Sequence, residues 1–250
     1  MVTIIKIIFL LGFLIFIHEF GHFIVAKKHG VTVNEFSIGF GPTIFSKVKN
    51  KTKYEIRIIP LGGFVSVEGE EEHSENEGSF SKQKPSVRFK VLVAGGLVNI
   101  AFGLILFLVL ILVRYMLIKN VNFLEAFTYS IKATGIVFIE YIKAFLSIFV
   151  GKVSLNDMTG PIGISKMVSE TSKLSEFLYL LSTISISLGF TNLLPIVPLD
   201  GGKAVLTVIE AIRKKPFKDE TIEKISQIGF ALIFTLFIIC TYNDLTNIKM

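Results

Sequence analysis

No tryptophan occurs in this 250-residue chain, cysteine occurs once, and charged residues make up only 18%. With Cys240 as the single thiol no intrachain disulfide can form, which excludes a disulfide-stapled secreted module and leaves the redox compartment unread. Charge this sparse, beside 51% apolar residues and a mean hydropathy of +0.65, excludes both intrinsic disorder and ordinary soluble composition. The formal net charge of +6 does not read as a nucleic-acid footprint, because the basic residues flank apolar runs and no nucleic-acid-binding motif accompanies them.

Long hydrophobic runs dominate instead. Crossing the hydrocarbon layer takes about 20 mostly apolar residues, and Val2 to Ala26, Val91 to Leu117 and Ile225 to Thr241 qualify. Phe177 to Leu199 is a fourth run, laced with Ser, Thr, Asn and Pro. The lipid bilayer is therefore the first partner. The first run lacks a basic leading segment and a small-residue cleavage site, so it reads as a retained span. Eleven of the 26 basic residues lie between Lys27 and Lys90 and six more between Lys203 and Lys224. Short loops rich in Lys and Arg stay cytoplasmic, so both loops read as cytoplasmic, with both termini and the region from Ile118 to Lys173 on the other side of the membrane.

From Gly30 to about Gly69 the composition shifts to Gly, Pro and β-branched residues. Polar and apolar side chains alternate through Lys53-Tyr54-Glu55-Ile56-Arg57-Ile58 with the period of a half-buried strand, and Gly39-Phe40-Gly41-Pro42 and Pro60-Leu61-Gly62-Gly63-Phe64 supply turns. A small β-loop lying against the membrane is expected, with its free edge at Ile56 and Ile58. The acidic run Glu68 to Glu77, with Glu70, Glu71, Glu72 and His73, reads as a solvated loop. The apolar stretch Thr134 to Gly151 would put Asp200 on the opposite side from His18 and His22 if it crossed, so it is expected to lie on or dip into the outer surface.

The fold class expected is an α-helical polytopic membrane protein of a single domain, residues 1–250. It has four transmembrane helices (about 2–26, 91–117, 177–199 and 225–241), a membrane-associated β-loop (about 30–69) and an interfacial helix on the outer side within about 120–173.

The chemistry is concentrated in His18-Glu19-Phe20-Gly21-His22, an HExxH pattern. On a helix its two imidazoles, a turn apart, project from one face toward a shared ion, and Glu19 is placed to act as general base on water. The pattern sits inside an apolar run, where each unpaired ionisable side chain costs about 2.5–3.5 kcal/mol on insertion scales, so three such groups demand a partner. A catalytic zinc site normally takes three protein ligands and an open position. The best third candidate is Asp200, at the end of Asn192-Leu193-Leu194-Pro195-Ile196-Val197-Pro198-Leu199-Asp200-Gly201-Gly202. Upstream, Ser182, Ser185, Gly189 and Asn192 recur at helical spacing as a small, polar face that serves either close helix packing or a water-accessible cavity.

HEFGH in the first span with NLLPIVPLDGG in a later one resembles the site-2 protease family of intramembrane metalloproteases. The likeness extends to GFGP and PLGGF after the first span, AGGLVN at Ala94 to Asn99 and TGPIGI at Thr159 to Ile164. The resemblance implies Zn2+ held by His18, His22 and Asp200, Glu19 as base, and Asn192 as a residue that helps hold substrate or the developing oxyanion. It implies substrates that are membrane proteins with one transmembrane segment, such as anti-sigma factors already trimmed outside, or leftover signal peptides. The bacterial branch it most resembles often carries PDZ domains between its second and third spans, and here too few residues separate them. Lys203 follows the two glycines where the family often has His or Arg, and the second proline falls one place late. A reading of a different class is a metal-binding membrane scaffold or transporter that cleaves nothing.

Overall fold

The computed structural model describes residues 2–70, 74, 76–152 and 158–248. Among the described residues seven α-helices and two strands follow one another as α1 (Val2–Lys28), β1 (Val33–Lys49), β2 (Thr52–Val67), α2 (Pro85–Lys119), α3 (Phe123–Phe149), α4 (Pro161–Glu170), α5 (Leu174–Asn192), α6 (Asp200–Arg213) and α7 (Asp219–Ile248), with a single 3-10 turn at Phe80–Lys82. Four of them, α1, α2, α5 and α7 from Asp219 to Thr246, are long and apolar enough to cross a membrane. Only 6% of the apolar window of α7 is buried, which is the pattern of a helix covered by lipid rather than by protein.

Each helix runs past its apolar window where polar residues can reach headgroups, α2 starting at Pro85 and α7 at Asp219. The third does the reverse. The run Phe177 to Leu199 is expected as one span, yet α5 stops at Asn192, because Pro195 and Pro198 offer no backbone donor. Residues 193–199 close tight turns instead, with Leu194 N–H on Thr191 O, Ile196 N–H on Leu194 O and Leu199 N–H on Ile196 O. The segment expected at the outer surface holds two helices, α3 and α4, and α3 is a continuous helix of 27 residues that Glu125, Lys132, Glu140 and Lys143 interrupt with too much charge to count among the four.

The chain divides into two compact units, Met1–Asn99 with Thr191–Ala231, and Ile100–Phe190 with Leu232–Met250. In the first, Ala26, Val31, Val33, Val67, Phe80, Val91, Leu92 and Ala204 form a buried cluster. β1 and β2 are antiparallel, and residues 35–38 are paired on both sides, with 66–63 on one and with 53–56 on the other. Ile56 has partners in both Ile38 and Phe45, so it is interior to the sheet and the edge expected at this position lies instead at 63–67. Arg88 of α2 and Glu210 of α6 make an ion pair at 2.9 Å, and Glu210 also accepts the Phe217 N–H at 2.9 Å.

In the second unit Asp244 of α7 accepts the Gly160 and Gly163 N–H groups at 3.1 and 2.7 Å, capping α4 from outside its own sequence. The small face of α5 serves packing here: Ser182 and Ser185 are fully buried, and a Cβ on Gly103 would lie 2.6 Å from Ser182 O. The run Glu71 to His73 lies outside the described residues.

Two outcomes are expected. Replacing Asp244 with Ala strands two backbone donors and should cost roughly 1–3 kcal/mol, read as a lower unfolding midpoint in detergent. Arg88→Met leaves the Glu210 carboxylate without its counter-charge and should cost roughly 3–5 kcal/mol, of which Arg88→Met with Glu210→Gln, which keeps an acceptor for the Phe217 N–H, recovers a large part.

Candidate metal centre

The HEFGH segment lies on α1, with two imidazoles four positions apart whose Nε2 atoms approach to 3.1 Å. Asp200 arrives from 182 residues away, as the first residue of α6, with Oδ2 at 2.9 Å from His18 Nε2 and 3.2 Å from His22 Nε2. The local reason is the glycine pair behind it. A Cβ on Gly201 would lie 2.3 Å from Leu193 C and O, and one on Gly202 2.3 Å from Val197 N, so only glycines let α6 start against the 193–197 turns. Burial opposes the charge on Asp200, but hydrogen bonds to His18 and His22 outweigh it and hold the carboxyl below the usual range.

Proton bookkeeping at His22 shows what the three atoms can hold. Its Nδ1 is 2.8 Å from Val91 O, a carbonyl that can only accept, so the single ring hydrogen of a neutral imidazole belongs on Nδ1. Nε2 then turns a lone pair toward a carboxylate oxygen, and two acceptors at this distance need a positive charge between them, which either a second ring proton or a metal ion supplies. The three ligand atoms lie within 4.8 Å of one another. Their separations of 2.9, 3.1 and 3.2 Å approach the edge of about 3.3 Å for a tetrahedron with zinc–ligand bonds of about 2.0–2.1 Å. The contact of His22 Nδ1 with Val91 O is also the kind of outer hydrogen bond that orients a metal-binding histidine.

Space for an ion comes from α2. A Cβ on Gly95 would fall 2.3 Å from His22 Nε2 and 2.7 Å from His18 Nε2, and one on Gly21 would fall 2.7 Å from Ala94 O. Glycine at 21 lets the two helices approach, and glycine at 95 keeps the gap beside both ring nitrogens open. The residues fit a divalent ion, and the fit resides in backbone approach as much as in the ligands.

Glu19 points to the sheet side, its Oε2 accepting the Val65 N–H at 3.1 Å. Val65 belongs to the edge 63–67, so the group that orients this carboxylate is a backbone donor no sequence motif announces. The edge is itself braced: Arg57 lies over the Phe64 ring at 4.8 Å and donates to Glu55 at 2.9 Å and to Glu35. Hydrogen bonds from Lys53, Thr43 and Arg57 hold the Glu55 carboxyl well below the usual carboxylate range.

A cavity of about 930 Å³ opens on His18, Glu19, His22 and Asp200 and is walled by Phe64 to Val67 on one side and by Glu68, Glu70 and Lys203 on another. Lys203 pairs with Glu70 at 2.9 Å, tying α6 to the loop after the sheet. Hydrogen bonds from Asn76 and Ser74 hold the Glu68 carboxyl below its ordinary range. Of the expected site residues, four are brought together. Asn192 closes α5 half-buried and is not among the residues lining this cavity.

The model of peptidase family M50 matches residues 6–236. A protein of Fusobacterium nucleatum whose name places it among the zinc metalloproteases is 28% identical, over 94% of this chain and 96% of its own length. One of Clostridium perfringens, similarly named, is 26% identical over 93% and 95%. Zinc metalloprotease RasP of Oceanobacillus iheyensis is 22% identical over 99% of this chain and all of its own. These alignments run to 326, 318 and 422 positions, longer than the 250-residue chain, so each relative carries stretches with no counterpart here. The chain belongs to peptidase family M50, the site-2 protease family, and is a zinc metalloprotease with four membrane-spanning helices.

Proposed function

We propose that this zinc metalloprotease cuts peptide bonds within or at the edge of the bilayer, in the transmembrane segments of single-span membrane proteins. His18, His22 and Asp200 hold the ion and Glu19 serves as base. The observation that carries this reading is the meeting of those four side chains on one polar cavity although three of them come from the apolar helix α1. A soluble peptidase has no need of such a location, whereas a substrate that lies in lipid does.

Held by His18, His22 and Asp200, Zn2+ would supply Lewis acidity, polarising the scissile carbonyl and lowering the pKa of water to about 7. The protein's own groups do the rest. Glu19 takes the proton of the attacking water and delivers it to the leaving nitrogen. The Val65 N–H holds the carboxylate at the cavity wall. Asn192 is assigned to substrate or oxyanion binding on the resemblance to the family alone, since it does not line this cavity. A helical substrate hides its carbonyls in intrahelical hydrogen bonds, and an unwound one needs new partners. The edge 63–67, paired on one side only and facing Glu19, supplies them as an added strand.

The placement of basic residues supports an active site near the cytoplasmic side, with both termini outside. Anti-sigma factors trimmed beforehand or signal-peptide remnants, in regulated intramembrane proteolysis, fit a single-span substrate class.

Two outcomes test this reading. With a reconstituted single-span substrate, Glu19→Gln should cut turnover by at least about 10²-fold while zinc content stays at the wild-type level; equal cleavage would remove Glu19 as the base. Val65→Pro, which deletes the N–H on Glu19 and blocks the edge, should abolish cleavage with zinc retained, whereas Val65→Ala should stay active; an active proline variant would refute strand addition.

A further inference from the structure

Two contacts set the sheet's attitude along α1. Pro60 O sits 2.4 Å from where a Cβ on Gly12 would be, and Lys27 Nζ donates to Thr52 Oγ1 at 2.9 Å. Gly12 and Lys27 are about 22 Å apart along a helix rising 1.5 Å per residue. The sheet therefore runs beside α1 from the helix's lysine-bearing end to the middle of its apolar length. Its surface changes along the same axis. Phe40, Ile44, Phe45, Ile58 and Leu61 are exposed at 40–66% toward the deep end, and the exposed lysines Lys47, Lys49, Lys51 and Lys53 crowd the turn beside Lys27 and Lys28.

The turn is built to stay there. Asn50 and Lys51 take the left-handed conformation, at φ 50° and 63°, and close the hairpin in two residues. Thr52 is fully buried and donates to Val33 O at 2.8 Å. A cavity of about 160 Å³ lies between the turn and the end of α1, with Lys27, Asn50 and Lys51 in its lining. Lys53 is paired with Glu55, and Lys51 acts electrostatically on Glu68. Lys47 and Lys49 have no ion pair among the described residues, although like charges two apart on one strand face repel. Amines at the headgroup level, held by a rigid turn and short of counter-charge, call for anions supplied by the membrane itself.

We propose that the turn 47–53 docks anionic phospholipid headgroups of the phosphatidylglycerol type, which hold the sheet, and so the edge 63–67, at a fixed depth. The proposal requires only that α1 crosses the bilayer, and it stands or falls separately from the choice of substrate.

Because the chain has no tryptophan, one introduced indole reports alone. Val48→Trp, at a position 69% exposed between Lys47 and Lys49, is made in the full chain and reconstituted in phosphatidylcholine–phosphatidylglycerol vesicles of one ratio, with bromine on either lipid's chains. Brominated phosphatidylglycerol should quench at least about twofold more per mole than brominated phosphatidylcholine, the excess vanishing near 1 M salt. Adding Lys47→Gln, Lys49→Gln and Lys51→Gln, all at exposed positions, should bring the two lipids to parity at an unchanged unfolding midpoint. Phe237→Trp, exposed on α7, should see the lipids equally. Equal quenching at Val48→Trp, an excess that survives the three glutamines, or the same excess at Phe237→Trp would each overturn the proposal.

Discussion

Three ligand atoms pressed together inside an apolar layer, Nε2 of His18, Nε2 of His22 and Oδ2 of Asp200, are the constraint to which the rest of this chain answers. With one His22 ring hydrogen on Val91 O, the other ring nitrogen and the carboxylate need a positive charge between them, a proton or a metal ion. In water such a cluster could relax by turning its side chains out to solvent. Within a spanning helix that exit is costly, so a divalent ion held there would stabilise the polypeptide around it.

The geometry depends less on the ligands than on how closely backbone can approach them. Gly21 admits the backbone at Ala94, Gly95 leaves the gap beside both imidazoles, and Gly201 with Gly202 lets α6 begin against the turns that carry Asp200. Glycine-rich pieces that look weak one by one thus share a purpose, which is to remove a Cβ where another element must come within van der Waals contact. The same logic runs through Gly160 and Gly163, whose N–H groups reach the Asp244 carboxylate because no side chain stands between.

The sheet joins this centre to the membrane. Its inner edge supplies the N–H that orients Glu19, its braced polar face carries Arg57 between Glu35 and Glu55, and its outer parts are apolar and exposed up to a collar of lysines. Many register irregularities between β1 and β2 would leave such a sheet free to slip, and a slip of one residue would turn Val65 away from Glu19. Pairing of 35–38 on both sides and the ion network at its face counter that.

From residue order alone came the bilayer, four spans, a β-segment after the first, and HEFGH as the centre of the chemistry with Asp200 as a candidate partner, because periodicity, apolar length and ligand type are local properties that a one-dimensional reading can count. The end of α5 at Asn192, the interior position of Ile56, the roles of Val65, Gly95 and Val91, and the packing use of Ser182 and Ser185 were decided only in three dimensions. Each depends on which backbone stands opposite which, and that is a relation between distant segments that no window of sequence contains.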